Sequence, residues 1–181
     1  MDLVFLLKLV ISRLEKLEIP YILTGGLAVS FWGFPRTTHD IDIVIDAQEK
    51  DKNKIIKIFE KDFYISDIAV SQAIAQRFTF NIIHNKSGLK IDFWLSKNDS
   101  YKILEFKRRL KKKIFGKDIY IISPEDLILG KLLWYKESQS SRHLEDIKSI
   151  FDISKPDLNY IKDWAERQST IEILNEILEK K

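Results

Sequence analysis

Two glycines and two aspartates near the N-terminus have the residue types and the spacing of a metal and phosphate site. Asp40 and Asp42 alternate with isoleucine in an apolar run that extends to Ile45. If this run is a strand, both carboxylates project from one face and the isoleucines enter the core. Two adjacent anions repel each other, and a divalent cation such as Mg²⁺ relieves that repulsion. The run therefore predicts a metal site with hard oxygen ligands.

The glycine pair Gly25-Gly26 lies between a predicted buried strand at residues 20–24 and a predicted helix that opens at residues 27–31. Without Cβ atoms, such a turn lets backbone N–H groups approach a phosphate, and a helix N-terminus adds positive potential. A glycine pair alone is more typical of an ordinary tight turn. The downstream carboxylates favour a triphosphate cradle instead.

A third carboxylate is expected on a neighbouring strand. Residues 77–84 and 89–96 are rich in β-formers and are joined by the turn-forming segment 85–88, which predicts a hairpin. Asp92 alternates with aliphatic residues of the second run, so it projects from the face opposite to them. With Asp40 and Asp42 it would hold one or two Mg²⁺ or Mn²⁺ ions, orient a triphosphate, and promote attack of an acceptor hydroxyl on the α-phosphorus.

Composition and element order predict an α/β protein. The 181 residues include 30 basic and 27 acidic side chains and no cysteine, so disulfides and thiolate metal sites are excluded and a cytoplasmic location is expected. No stretch is long and apolar enough for a membrane span. We predict a mixed sheet flanked by helices in a core of residues 1–122, followed by a helical C-terminal region of residues 123–181 packed on it.

The glycine pair followed by Arg36, Thr38, Asp40 and Asp42 resembles the polymerase-β-type nucleotidyltransferase superfamily. Two later segments, 123–131 and 141–147, are similar to its AbiEii/MenT-like branch, which includes toxins of bacterial toxin–antitoxin and abortive-infection systems. The resemblance implies the nucleotidyltransferase fold and metal-dependent transfer of NMP from an NTP to a hydroxyl of RNA, such as tRNA, or of protein. It also implies a cognate antitoxin as a partner.

The resemblance assigns roles to further residues. Lys131 matches a conserved lysine of the branch and Asp146 its late aspartate, and both are expected in the catalytic site. A lysine among apolar neighbours needs an anionic partner, which a triphosphate would provide; Asp146 could position it, touch a metal or accept a proton. An interhelical salt bridge with Arg142 nearby is an equal alternative. The residues predicted to bind the nucleotide are Thr24, Gly25, Gly26, Arg36, Thr38 and Lys131.

A basic run occupies residues 107–113, where six of seven side chains are Lys or Arg. We predict that it ends a helix of residues 101–113. It could bind an RNA backbone, although a solvated helix end is the favoured interpretation. Two alternatives to the leading function stay open: a small-molecule acceptor, since related folds modify aminoglycosides and lincosamides, and a non-catalytic nucleotide- or RNA-binding module. The presence of Asp40, Asp42 and Asp92 favours an enzyme.

Overall fold

The computed structural model describes residues 3–179, which form a seven-stranded mixed sheet and nine α-helices. The strands are β1 (Tyr21–Thr24), β2 (Asp40–Ile45), β3 (Phe63–Ile65), β4 (Thr79–His84), β5 (Lys90–Leu95), β6 (Leu110–Ile114) and β7 (Lys117–Ile121). The helices are α1 (Leu3–Lys16), α2 (Gly25–Trp32), α3 (Lys52–Phe59), α4 (Asp67–Gln76), α5 (Ser100–Lys107), α6 (Pro124–Ser138), α7 (Ser141–Ser154), α8 (Leu158–Arg167) and α9 (Ile171–Glu179).

The strand order is β3-β4-β5-β2-β1-β7-β6. β2 pairs antiparallel with β1 and parallel with β5, and β1 pairs parallel with β7, so the sheet is mixed. From residue 124 to residue 179 every regular element is a helix. The predicted α/β architecture with a helical C-terminal region is confirmed.

Two compact units are present. The first consists of the chain up to Leu27 together with Thr37–Ile121, and contains the whole sheet; the second consists of Ala28–Arg36 together with the chain from Ile122 onward. Each unit is therefore built from two separate segments. The boundary at residues 122 and 123 stays a prediction.

Alternation along the central strands builds the core of the first unit. Ile41, Ile43 and Ile45 of β2 are fully buried, as are Ile91 and Phe93 of β5. The α1 stripe of Leu6, Leu7, Val10, Ile11 and Leu14 is also fully buried, as expected of an amphipathic helix packed in a core. The alternate residues of β2 and β5 consequently lie on the opposite face of the sheet.

The prediction of a helix over residues 101–113 is wrong beyond Lys107. Helix α5 ends there, and residues 110–114 form β6, which pairs antiparallel with β7. The two-residue turn between these strands is Phe115-Gly116, and both residues have positive φ (49° and 81°). Such a turn matches the twist of a β-hairpin, so pairing with β7 overrides the helical preference of the lysine run.

Within residues 3–179, no helix combines the length and the apolar character needed to cross a membrane.

Candidate active site

Three predicted carboxylates share one face of the sheet in the first unit. Asp40 and Asp42 lie on β2, and the parallel register places Asp92 of β5 directly opposite Asp42. All three are partly exposed, whereas the residues that alternate with them are buried. Adjacent strands lie about 4.8 Å apart, so the sheet concentrates negative charge on a small area.

Lys90 lies among these carboxylates, opposite Asp40 in the same register. Its Nζ is 2.8 Å from Asp92 Oδ2 and 3.9 Å from Asp40 Oδ1. The hydrogen bond to Asp92, followed by the nearby negative charges, raises the pKa of Lys90 above its ordinary value. Sequence reasoning missed this residue, although its spacing of two from Asp92 was a signal that both side chains share a face.

The glycine pair packs directly against the carboxylate face. Gly25 has a φ of +64°, and a Cβ on it would lie 1.9 Å from Asp42 Oδ2. A Cβ on Gly26 would lie 2.6 Å from Thr38 Oγ1, and that hydroxyl donates a hydrogen bond to the Asp40 backbone carbonyl at 3.3 Å. Both glycines are therefore required by close approach, whether or not a phosphate binds there.

The first unit thus brings together seven of the predicted site residues. Thr24 belongs to this group because it pairs with Asp42 in the antiparallel register of β1 and β2. The complete group is Thr24, Gly25, Gly26, Thr38, Asp40, Asp42 and Asp92.

The donor set of this face suits a hard divalent cation. Among residues 3–179, no group of three or more His, Asp or Glu side chains is arranged as a ready metal cage. Mg²⁺, however, commonly takes only one or two protein carboxylates, with water and substrate phosphates as its other ligands. Asp40 and Asp42, side by side on β2 with Asp92 opposite, supply such oxygen donors. The residues present therefore fit the metal that the resemblance implies.

The other three predicted residues form an ion cluster in the second unit. Asp146 of α7 is 2% exposed and accepts two hydrogen bonds from Arg36, at 2.8 Å from Nε and 3.1 Å from Nη2. Lys131 of α6 is 9% exposed, and its Nζ lies 2.8 Å from Asp146 Oδ2. The interhelical ion pair considered as an alternative is present, and Arg36 is a second cation on the same carboxylate.

His143 borders this cluster on α7. Its Nδ1 is buried and has no hydrogen-bond partner among the described residues. Burial of the ring lowers the pKa of His143, and the positive charges of Lys131, Arg142 and Arg36 lower it further, while Asp146 acts in the opposite direction. The fold therefore favours a neutral imidazole here.

Comparisons with known proteins agree with the fold. Residues 1–180 match the family model described as "Nucleotidyltransferase of unknown function (DUF6036)". No curated protein matches the sequence significantly.

Three solved structures illustrate the likeness. The antibiotic-resistance factor ANT(2'')-Ia is 14% identical, covers 96% of this chain and 96% of its own, and has a TM-score of 0.60. An antigenic nucleotidyltransferase-like protein from Paracoccidioides brasiliensis is 20% identical over 81% of this chain and 72% of its own, with a TM-score of 0.53. The lincosamide antibiotic adenylyltransferase LnuA is 16% identical over 80% of this chain and 93% of its own, with a TM-score of 0.53. At these identities the likeness concerns the fold, and the family match shows that the chain belongs to the DUF6036 family of nucleotidyltransferases.

Proposed function

We propose that this nucleotidyltransferase moves an NMP group from an NTP to an acceptor hydroxyl, with Mg²⁺ or Mn²⁺ held by Asp40, Asp42 and Asp92. One observation carries the proposal: three carboxylates from two strands share a face, and Gly25 at the start of α2 packs directly on Asp42.

Each part of this face has a defined task in the proposal. A bound divalent ion would neutralise charge on the triphosphate and on the leaving pyrophosphate. Gly25 and Gly26 open α2, and the first N–H groups of a helix lack intrahelical partners, so they can donate to phosphate oxygens. Lys90 orients Asp92 through the 2.8 Å hydrogen bond. Thr38 fixes the start of β2 through the Asp40 carbonyl.

The bond changes are those of an in-line displacement. The acceptor oxygen forms a bond to the α-phosphorus, the bond from that phosphorus to the bridging oxygen breaks, and pyrophosphate leaves with the bonding electrons. The hydroxyl proton passes to a base, for which a carboxylate of this face is suited. Positioning and charge neutralisation supply most of the rate in such a reaction.

The cluster of Arg36, Lys131 and Asp146 is proposed to serve an anion. Lys131 is largely buried and its Nζ lies 2.8 Å from Asp146 Oδ2. An ammonium group has three donors, so Lys131 held in this way can also contact a phosphate group. Lys131 is then the phosphate contact, and Asp146 is the residue that positions it.

The finer identity of the enzyme is also a proposal. Membership of the AbiEii/MenT-like branch, with RNA or protein as acceptor and an antitoxin as partner, is supported by the motifs at residues 123–131 and 141–147. A small-molecule acceptor is the second candidate, because the fold is similar to that of an antibiotic-resistance factor over 96% of both chains.

The test is label transfer. We expect purified protein with each α-labelled NTP, Mg²⁺ or Mn²⁺ and either total tRNA, cell protein or an aminoglycoside to transfer label to one acceptor. Asp40→Asn and Asp42→Asn should each lower transfer at least about 100-fold, since they remove charge at the metal. Asp46→Asn is the matched control, because Asp46 lies just beyond β2 and pairs with Arg77. If the parent shows neither transfer nor metal-dependent NTP binding above that of a variant with both Asp40→Asn and Asp42→Asn, the proposal fails.

A further inference from the structure

Outside the carboxylate face lies a basic ribbon, which we define as Lys107, Arg108, Arg109, Lys111, Lys112 and Lys113. It begins at the last residue of α5 and continues along β6, the edge strand of the sheet. Residues 110–113 are all exposed, so both faces of this strand meet solvent. The cations therefore project from two sides of an extended segment, in contrast to the predicted helix end.

The ribbon and its hairpin partner carry little negative charge. From residue 107 to residue 121 the sequence contains seven basic residues and one acid, Asp118. Asp118 Oδ2 lies 3.7 Å from Lys111 Nζ, and both side chains are 58% exposed. An exposed pair of this kind contributes little binding energy. The basic residues of this segment therefore outnumber its acids, although Lys117 forms an ion pair with Glu15 at 2.7 Å.

The side chain of Arg109 is held in a fixed orientation by its neighbours. Its guanidinium lies 4.7 Å from the ring centroid of Phe106 and 4.9 Å from that of Tyr120, and it donates a 2.6 Å hydrogen bond to the Phe106 carbonyl. A guanidinium that is already oriented loses less conformational entropy when it binds an oxyanion.

Protection of the sheet edge does not account for this charge. Lysines on edge strands prevent association with other sheets, and this explains a cation or two on β6. Lys107, Arg108 and Arg109 precede the strand and lie outside the ladder of hydrogen bonds with β7. Half of the ribbon is therefore left without a role in edge protection.

We propose that the basic ribbon binds the phosphate backbone of an RNA, and that RNA is the acceptor class of this enzyme; the second statement rests on the proposed function. Lys111 and Lys113 lie two strand positions apart, which is about 6.7 Å and close to the distance between successive phosphates of a nucleic-acid strand. Exposed Phe115, at the tip of the hairpin, offers a face on which an unpaired base can stack. An anionic membrane is the competing ligand, but a tip with a single aromatic residue provides little apolar area to insert.

The test compares two variants with equal charge changes. The ribbon variant is Lys111→Gln/Lys112→Gln/Lys113→Gln, and the control is Lys50→Gln/Lys54→Gln/Lys57→Gln, three exposed lysines before and within α3. Binding to a fluorescently labelled tRNA transcript is measured by anisotropy at several salt concentrations. We expect the ribbon variant to bind at least tenfold more weakly and the slope of log K against log salt to fall by about 2, because three phosphate contacts are lost. Urea unfolding of both variants confirms that they fold.

Each outcome decides between the proposals. Equal RNA affinity of the two variants overturns the ribbon proposal, and so does ribbon-dependent binding to phosphatidylserine vesicles without RNA binding. Ribbon-dependent RNA binding without label transfer to RNA leaves the RNA surface in place and removes RNA as the acceptor. Label transfer to a small molecule by a protein that does not bind RNA keeps the transferase activity and overturns the inference.

Discussion

At the scale of single residues, the lack of a side chain at Gly25 allows Asp42 its position on the carboxylate face. Gly25→Ala adds a methyl group that would lie 1.9 Å from Asp42 Oδ2, at a residue whose φ is +64°. Asp42 or the start of α2 must move. We expect label transfer to fall by about 100-fold or more, because misplacement by about 1 Å is enough for such a loss.

The control separates backbone strain from displacement of the carboxylate. Gly116→Ala also introduces a side chain at positive φ (+81°), but nothing lies within 4 Å of the new Cβ. Gly116→Ala should lower the free energy of unfolding by about 1–2 kcal/mol because of its positive φ. Gly25→Ala should lower it by at least as much, and urea denaturation measures both. Only Gly25→Ala should lose activity. Equal activities would mean that the position of Asp42 is not important for the reaction.

At the scale of elements, the pair of helices α6 and α7 is held by a buried carboxylate with two cations. Asp146→Asn leaves Lys131 buried without its counter-charge, and such a loss typically costs about 3–5 kcal/mol. Lys131→Met retains the two hydrogen bonds between Arg36 and Asp146 and should cost clearly less. Urea unfolding of both variants checks the difference. If both substitutions lower the free energy of unfolding by similar amounts, the hydrogen bonds from Arg36 do not stabilise Asp146 once Lys131 is removed.

Elements also show how far sequence reasoning reaches. The alternation of isoleucine with Asp40 and Asp42 predicted a strand and its polar face, because a period of two is a local property. The register that sets Asp42 opposite Asp92 depends on pairing between distant segments, and the sequence around either residue does not specify that pairing. The same holds for Arg36 and Asp146, which are 110 positions apart in the sequence. The prediction of a helix over residues 101–113 was wrong for another reason. The lysines do favour a helix, but pairing of residues 110–114 with β7 outweighs that preference.

At the scale of the whole molecule, the dependence of stability on pH has two separate windows. Asp62 and Asp67 have pKa values below their ordinary 3.8 because of hydrogen bonds from Arg13 and Lys52, respectively. Their stabilising contribution is present above the unfolded-state pKa and is lost as the pH falls through the lower folded-state pKa. These two carboxyl groups therefore change the free energy of unfolding only in acid, at pH values around and below 3.8. Any pH dependence of stability just below pH 6.5 must come from groups of another type.

His143 makes the free energy of unfolding depend on pH in the range just below pH 6.5. Its ordinary pKa is 6.5, and burial together with Lys131, Arg142 and Arg36 lowers the pKa in the folded protein. As the pH falls below 6.5, the unfolded chain takes up the proton first, so the free energy of unfolding decreases until the folded-state pKa is reached. Above pH 6.5 this contribution is fully present. We expect His143→Gln, measured by urea unfolding from pH 7.5 to pH 5, to show a flatter pH dependence than the parent. Parallel curves for the two proteins would mean that the imidazole can be protonated inside the fold without cost.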